Sequence, residues 1–259
     1  MISIKKIQFS LMTLTTAFIW SGCGSTQKIE HDKTDSVQTV AIIGFGLLQQ
    51  EPNSGATVLK AMMDDKNSPP QAAPIAKPSK IALDMYQDLA NKLAAERHWK
   101  VVSYNKLISN PAYAEFRNAK TKQPQMRPWV AKNVEAFIPD GIVEGFLLAA
   151  TKGNEYAELK RALGVDAIAV VTVDVSLENN ASVFEKLAFT GKLDSQAALK
   201  FELFDGISPD AIWFDGRPHE KAPGDGPTHH MGFASSDVLD QRALEAAKLT
   251  FNDLNASYQ

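Results

Sequence analysis

Two neighbouring stretches alternate between apolar and polar residues, and this pattern constrains the fold more than any other feature. In VDAIAVVTVDVSLE, residues 165–178, every odd position from 165 to 177 is apolar, whereas Asp166 and Asp174 are among the even positions. A period of two is typical of a strand with one buried face. Residues 189–203 alternate in the same way, so the two stretches predict an antiparallel hairpin.

Apolar periodicity also predicts the order of the other elements. The order is β-α-β-α-α-β-β-β-α, in which the hairpin strands are the sixth and seventh elements. The remaining predicted strands are 40–43, 99–102 and 211–216, and the predicted helices are 79–97, 110–119, 154–163 and 236–256. Residues 120–139 are polar and contain prolines, which predicts a loop with some helix.

Residues 47–79 form a long proline-rich insertion between the first predicted strand and the first predicted helix. Because five prolines interrupt it, most of this insertion is expected to lack regular structure. A short helix at 57–63 would carry four apolar side chains on one face: Val58, Leu59, Met62 and Met63. These residues are candidates for partner binding, and the alternative is a surface excursion without a function.

The first 22 residues have the pattern of a secretory signal peptide. Lys5 and Lys6 are followed by an apolar stretch of about 14 residues, from Ile7 to Trp20. This stretch is shorter than the roughly 20 residues that a transmembrane helix needs. Polar residues follow it at once, so residues 1–22 are predicted to be a cleaved leader that takes the chain out of the cytoplasm.

Cys23, directly after this leader, is the only cysteine in the chain. A catalytic or redox cysteine needs surroundings that favour the thiolate, and a residue between a leader and a polar segment has none. A disulfide within the chain needs a second cysteine. These considerations leave covalent attachment as the expected role of Cys23.

The segment Ser21-Gly22-Cys23 resembles the lipobox of bacterial lipoproteins, with Trp20 where that motif usually has leucine. The resemblance implies cleavage between Gly22 and Cys23 and acylation of Cys23. At least two acyl chains are needed for stable membrane binding. Gly24 stands in place of the aspartate that retains such proteins in the inner membrane, so the resemblance implies an outer-membrane anchor that faces the periplasm.

Composition limits the partners of the processed chain. Loss of residues 1–22 removes Lys5 and Lys6 and no acid, which changes the net charge from −3 to −5. Such a chain lacks the basic surface that nucleic acid requires. Gly44-Phe45-Gly46 follows a predicted strand, but Gln49 stands where a dinucleotide-binding fingerprint has its third glycine. We therefore expect neither a nucleic-acid partner nor a nucleotide.

Residues 23–38 are polar and without periodicity, which predicts a lipidated cysteine followed by a flexible tether. The rest, residues 39–259, is expected to form a single globular domain in the periplasm. The segments VAIIGF at 40–45, WKVVSY at 99–104, ALGVDAIAVVTVDV at 162–175 and AIWFDG at 211–216 resemble the periplasmic lipoprotein superfamily that shares the TolB N-terminal-domain or CsgG-like fold. The resemblance implies an α/β (α+β) sandwich, with helices packed on a mostly antiparallel sheet.

The best case for catalysis is the turn-rich loop at 217–232, which contains His219, His229 and His230. Imidazole groups suit zinc or another transition metal. Adjacent histidines point apart in an extended chain, however, so we expect no catalytic residue, no metal and no cofactor besides the lipid on Cys23. The alternative is a metal-dependent envelope enzyme or a ligand-binding sensor that uses this loop.

The sequence therefore predicts a membrane-anchored periplasmic lipoprotein that is not an enzyme. The family resemblance implies that it acts by protein–protein contact in a cell-envelope assembly for secretion, cell-wall synthesis or the outer membrane. Its expected partners are the membrane, through the acyl chains on Cys23, and an envelope protein or a second copy of the chain.

Overall fold

The predicted hairpin lies at the centre of the protein. The computed structural model describes residues 26–50, 71–122, 127, 129–130, 134–148, 151–179, 190–221, 228–230 and 236–256. Within these ranges, Ala167–Asn179 pairs antiparallel with Thr190–Phe204. The predicted pairing is therefore confirmed, and the residues that join the two strands, 180–189, lie outside the described ranges.

The described residues form a nine-stranded sheet and a small two-stranded sheet. The strands are β1 (Thr26–Ile29), β2 (Thr39–Gln50), β3 (Gln71–Ala72), β4 (Lys77–Pro78), β5 (Lys100–Val101), β6 (Trp129–Val130), β7 (Val134–Ile138), β8 (Ala167–Asn179), β9 (Thr190–Phe204), β10 (Trp213–Lys221) and β11 (Thr228–His230). The large sheet has the order β1-β10-β9-β8-β2-β7-β4, with β5 beside β2 and β11 beside β9, and β3 pairs with β6.

The pairing in the large sheet is mostly antiparallel. β2 runs parallel to β8 and to β5, and β4 runs parallel to β7, whereas the other pairs are antiparallel. The predicted class, α/β with a mostly antiparallel sheet and helices, is confirmed at this level. The predicted order omits several short strands, among them β1, β4 and β7.

The helices cover the sheet. They are α1 (His31–Thr34), α2 (Lys80–Arg97), α3 (Tyr104–Ile108), α4 (Pro111–Lys122), α5 (Ala157–Leu163) and α6 (Ser236–Ala256), with 3-10 turns at Gly145–Leu147 and Gly153–Tyr156. The two longest helices, α2 and α6, pack against each other, α2 on β2 and α6 on β9 and β10. Leu89 of α2 and Phe251 of α6 are fully buried there.

Local sequence explains where several helices begin and end. The side-chain oxygen of Asn110 accepts hydrogen bonds from the backbone N–H groups of Ala112 (2.9 Å) and Tyr113 (3.3 Å), which caps α4. Gly164 ends α5 with a φ of 65°, in the left-handed region that favours glycine. All four predicted helices are present, with bounds within three residues of the prediction except that α5 starts with a 3-10 turn.

Two buried tyrosines donate hydrogen bonds to carbonyl groups at a β-bulge in β2. The register of β2 on β8 shifts between Ile42 and Gly44. The Tyr86 hydroxyl donates to the carbonyl of Ile42 (3.2 Å), and the Tyr113 hydroxyl donates to the carbonyl of Ile43 (2.6 Å). These bonds satisfy carbonyl groups at the point where the register shifts, so helices α2 and α4 are fixed to the centre of the sheet.

The glycines of the GFG segment permit a close approach of the chain rather than a turn. β2 continues through them to Gln50, whereas the predicted strand ended at Ile43. A Cβ on Gly44 or on Gly46 would lie 2.7 Å from a side chain of the segment 145–148. The approach is closest at Gly145, where a Cβ would lie 2.0 Å from the carbonyl oxygen of Val171 on β8.

Three predicted boundaries are wrong. The flexible tether was expected to extend to residue 38, but residues 26–38 contain β1 and α1 and join the sheet. The irregular insertion was expected over 47–79, but strands occupy 47–50, 71–72 and 77–78, while 51–70 lie outside the described residues. The stretch 120–139 has two strands, β6 and β7, where a loop with some helix was expected, because strands of two and five residues are too short to show a clear period.

Candidate functional site

The three candidate histidines are spread along β9 rather than gathered. His219 lies in β10, between Arg217 and Glu220, whose partners on β9 are Leu199 and Ala197. His229 and His230 lie in β11, opposite Gly191 and Thr190. At a rise of about 3.4 Å per residue, the backbone of His219 is roughly 20 Å from that of His229. The register therefore separates His219 from the other two, and the three cannot share one metal ion.

The candidate residues other than the histidines all lie outside the described part of the chain. Within the described part of the chain, His, Cys, Asp and Glu side chains form no group of three or more that could hold a metal ion. Gly22 and Cys23 lie outside the described residues, as do the four candidates for partner binding, Val58, Leu59, Met62 and Met63. The lipidation site and the partner-binding role of the insertion at 47–79 therefore remain predictions.

The segment of residues 26–38, called here the N-terminal segment, forms one edge of the sheet and one side of a surface cleft. Its strand β1 lies at the edge of the sheet and pairs antiparallel with β10, from Thr26 opposite Gly216 to Ile29 opposite Trp213. The N–H of Glu30 donates to the carbonyl of Ile212 at 2.7 Å. The first three residues of β1 are exposed, so backbone hydrogen bonds rather than burial hold this strand.

Ion pairs connect the N-terminal segment to the turn between β9 and β10. The Lys33 ammonium lies 2.8 Å from the Glu30 carboxylate and donates to the Ser208 hydroxyl at 2.8 Å. Asp205 lies 3.9 Å from the same ammonium group. Lys28 pairs with the second oxygen of Glu30 at 3.0 Å. All of these groups are at least partly exposed, so they orient the segment more than they stabilise it.

Asp166 joins the beginnings of β2 and β8. One oxygen of its carboxylate accepts hydrogen bonds from the backbone N–H groups of Gln38 (3.1 Å) and Thr39 (2.8 Å) and from the Thr39 hydroxyl (2.8 Å). The backbone N–H of Asp166 donates in return to the Thr39 hydroxyl at 2.9 Å. The end of the N-terminal segment is thus fixed to the two parallel strands at the centre of the sheet.

A surface cleft of about 410 Å³ lies between the N-terminal segment and the β9–β10 turn. Its lining is mostly charged or carries hydroxyl groups: Asp32, Lys33, Ser36, Val37, Lys160, Asp166, Asp205, Ile207 and Ser208. Ile207 is 77 % exposed. The cleft is open to solvent, and both polar groups and apolar groups such as Ile207 line it.

Three carboxylates in or beside this cleft, those of Asp166, Asp205 and Glu30, are held in the charged form. Burial disfavours ionisation of Asp166, but the hydrogen bonds from Thr39 and Gln38 outweigh it and lower its pKa. Burial also opposes ionisation of Asp205, and the N–H groups of Ile207 and Ser208 outweigh it, so its pKa is lowered as well. Hydrogen bonds from Lys33 and then Lys28 lower the pKa of Glu30.

These pKa shifts limit the chemistry of the cleft. A general base needs a pKa near the working pH, and carboxylates whose pKa is lowered by several donors are weak bases. One oxygen of Asp166 and both oxygens of Asp205 and Glu30 already have backbone, hydroxyl or lysine partners. The arrangement therefore suits a contact surface, in which fixed charges and hydroxyl groups meet another polar surface.

A carboxylate on β9, outside the cleft, has the reverse shift. Burial raises the pKa of Glu202, and the ammonium group of Lys200, 3.0 Å away, acts against this. Lys200 also lies over the ring of Phe214, 5.7 Å from its centre. This is an ion pair within one strand, and it belongs to no group of three or more metal-binding side chains among the described residues.

Sequence patterns gave no indication of the N-terminal segment as part of the fold. Strand β1, Thr-Gln-Lys-Ile, has one apolar residue, and an edge strand with three exposed side chains needs no more. Val37 and Thr34 are buried and are the signs of packing that this polar stretch contains. No helix in the described ranges has the length and apolar character to cross a membrane.

A comparison with protein-family models finds no match to this chain. No curated protein is significantly similar to it in sequence.

Proposed function

We propose that this protein is a bacterial lipoprotein whose folded domain lies in the periplasm and acts without catalysis, by protein–protein contact in a cell-envelope assembly. The anchor is Cys23, acylated after cleavage of residues 1–22, and the outer membrane is the expected location because Gly24 follows the cysteine.

The observation that carries this proposal is the boundary between leader and fold. The apolar leader ends at Trp20 and the small residues Ser21 and Gly22 precede Cys23, while the first strand begins at Thr26. Cleavage before Cys23 therefore removes no part of the sheet that the structure describes, and it leaves the acylated residue three positions before β1.

The fold supports the finer resemblance to the TolB N-terminal-domain or CsgG-like superfamily in one respect. Its centre is a parallel pair, β2 and β8, followed by the antiparallel run β8, β9 and β10, with the long helices α2 and α6 on the same sheet. The segments VAIIGF and VDAIAVVTVDV that carry the resemblance form this parallel pair.

Anchoring is tested by fractionation of cells that express the wild type or Cys23→Ser. We expect the wild type in the membrane fraction and its N-terminal peptide to carry acyl chains by mass spectrometry. Cys23→Ser should retain its leader or leave the membrane fraction. If both proteins fractionate identically in soluble form and the peptide is unmodified, the proposed anchor is wrong.

Contact with an envelope protein is tested by photo-crosslinking in intact cells. A photoreactive residue at Met62, in the insertion at 47–79, or at Ile207, at the cleft, should give a defined crosslinked product. The same residue at Ala94, which is exposed on α2, is the control. Products that are equally weak at all three positions would count against a role in an assembly.

A further inference from the structure

We propose that the β1 edge of the sheet lies directly against the headgroups of the bilayer that holds Cys23, so that the domain is mounted on the membrane in one orientation. This inference rests on the proposed acylation of Cys23. It names phospholipid headgroups as the partner of the surface formed by β1 and the beginning of α1.

The length of chain between anchor and sheet carries the argument. Cys23 and Thr26 are three residues apart, and β1 begins at Thr26. Three residues span at most about 10 Å even when fully extended. The headgroup layer of one leaflet is roughly 5–8 Å thick. Thr26 is therefore within a few ångströms of the membrane surface, and no tether of useful length separates the domain from the lipid.

The connection of β1 to the rest of the domain transmits this constraint. β1 pairs with β10 over its whole length, Glu30 is bonded to Ile212, and Lys33 is bonded to Ser208. The N-terminal segment therefore behaves as part of the sheet. An anchor three residues before it therefore keeps Thr26, and the β1 edge that begins there, close to the membrane surface.

The side chains at this edge suit a headgroup layer rather than the hydrocarbon core. Thr26, Gln27 and Lys28 are polar and exposed. The N-terminal segment contains two lysines, Lys28 and Lys33, against three acids, Glu30, Asp32 and Asp35. This balance provides no net attraction to anionic lipid. The contact is imposed by the short covalent connection and is expected to persist at high salt.

A second copy of the chain is the competing occupant of this edge. Strand addition needs a long free edge, and β1 has four residues. Beyond Gly216, where the pairing with β1 ends, β10 has an irregular register between Arg217 and Glu220 and contains Pro218. Short strands, bulges and prolines are features that protect an edge from pairing. These features favour lipid over a second copy.

The chain offers a matched pair of positions for the test. Lys28 lies on β1 and Lys77 on β4, at the two ends of the sheet order, and each pairs with a glutamate, Glu30 and Glu135 respectively. Six strand spacings separate these edges, which is about 29 Å. A cysteine at either position is the sole free thiol when Cys23 is acylated.

The acylated full-length variants Lys28→Cys and Lys77→Cys are labelled with a fluorescent donor and reconstituted in vesicles of phosphatidylethanolamine and phosphatidylglycerol that contain a headgroup-labelled acceptor lipid. We expect energy transfer at least about twofold higher from position 28 than from position 77, at low and at high salt. A flexible Gly/Ser insertion of about 20 residues between Gly24 and Ser25 adds a root-mean-square reach of roughly 25 Å and should abolish this difference.

Each other outcome overturns the inference in a recognisable way. Protein that floats with the vesicles but shows equally low transfer from both positions is anchored and stands away from the lipid, so the proposed function survives and this inference fails. Equally high transfer means that another face lies on the membrane. Close approach between two labels at position 28, with low transfer to lipid, means that a second copy covers the edge. Failure to float with vesicles refutes the anchor itself.

Discussion

The centre and the edge of the sheet are built in different ways. At the centre, residues on both faces of the parallel pair β2 and β8 are buried, as in Ile42, Ile168 and Val171, which are all fully inaccessible. At the edge, β1 is exposed and is held by backbone hydrogen bonds and by the charges of Glu30 and Lys33. The centre is fixed by shape and the edge by polar contacts.

This difference separates two kinds of sensitivity. Apolar packing depends on volume and fit, so changes of a single methyl group at the centre are costly. Hydrogen bonds and ion pairs at an exposed edge are weaker, and they respond to pH and to salt. Four substitutions test this contrast, from the largest expected effect to the smallest.

Gly145→Ala should have the largest effect. Its new Cβ would lie 2.0 Å from the Val171 carbonyl oxygen, which is backbone and cannot rotate away. We expect a loss of more than about 3 kcal/mol in the free energy of unfolding, or failure to fold. Gly164→Ala is the control, because Gly164 has a φ of 65° but no atom within 4 Å of a Cβ. Its cost should be about 1 kcal/mol in urea unfolding, and equal losses in the two variants would contradict the close approach.

Tyr113→Phe tests whether the bulge in β2 depends on the Tyr113 hydroxyl. It removes the hydroxyl that bonds the Ile43 carbonyl and accepts from the N–H of Val143, and it leaves both backbone groups buried. We expect a loss of about 1–3 kcal/mol in urea unfolding. Tyr104→Phe removes a hydroxyl whose bond to the Asp140 carbonyl is exposed, and it should cost less than about 1 kcal/mol. A reversed order would show that the bulge does not depend on Tyr113.

Asp166→Asn tests the polar connection between the N-terminal segment and the centre. The folded-state pKa of Asp166 is lowered below its ordinary value, so its carboxylate stabilises the fold above the unfolded pKa of about 3.9 and loses that contribution as pH falls through the folded pKa. We expect the wild type to be more stable than the variant at pH 7 and this difference to shrink below about pH 4. Thermal unfolding across pH measures it, and a difference that is constant with pH would contradict the assignment.

Lys28→Ala should have the smallest effect. Lys28 is more than half exposed and contacts Glu30 in solvent, so the unfolding midpoint should stay within error of the wild type. A large fall in the unfolding midpoint would mean that the edge depends on this ion pair, and not on the backbone pairing with β10.

Much of the fold is predictable from sequence because packing against a core imposes a period. The hairpin of β8 and β9 and helices α2 and α6 all have an apolar repeat, and all were predicted. Strands β1 and β4 were not, because an edge strand can be polar or contain a proline such as Pro78. Strand β7 lies between β2 and β4, and it was missed because its five residues are too few to show a clear period.

The candidate site was less predictable, for a related reason. The sequence places His219, His229 and His230 within one short stretch, but register decides which residues meet, and the pairing of β10 and β11 with β9 separates the first from the others. Asp166 was visible as a polar position on a strand, but its bonds to Gln38 and Thr39 depend on the adjacency of β2 and β8. The local sequence around Asp166 does not show which strands will be neighbours in the sheet.

The pairing of β1 with β10 has a consequence for the order in which the domain folds as the chain is synthesised. Thr26 is bonded across to Gly216, so the first strand of the domain has no partner until about 190 residues more have been delivered. Contacts between positions so distant in sequence form late in folding. Docking of β1 is therefore expected to follow the formation of β10 and to be a late step in completing the sheet.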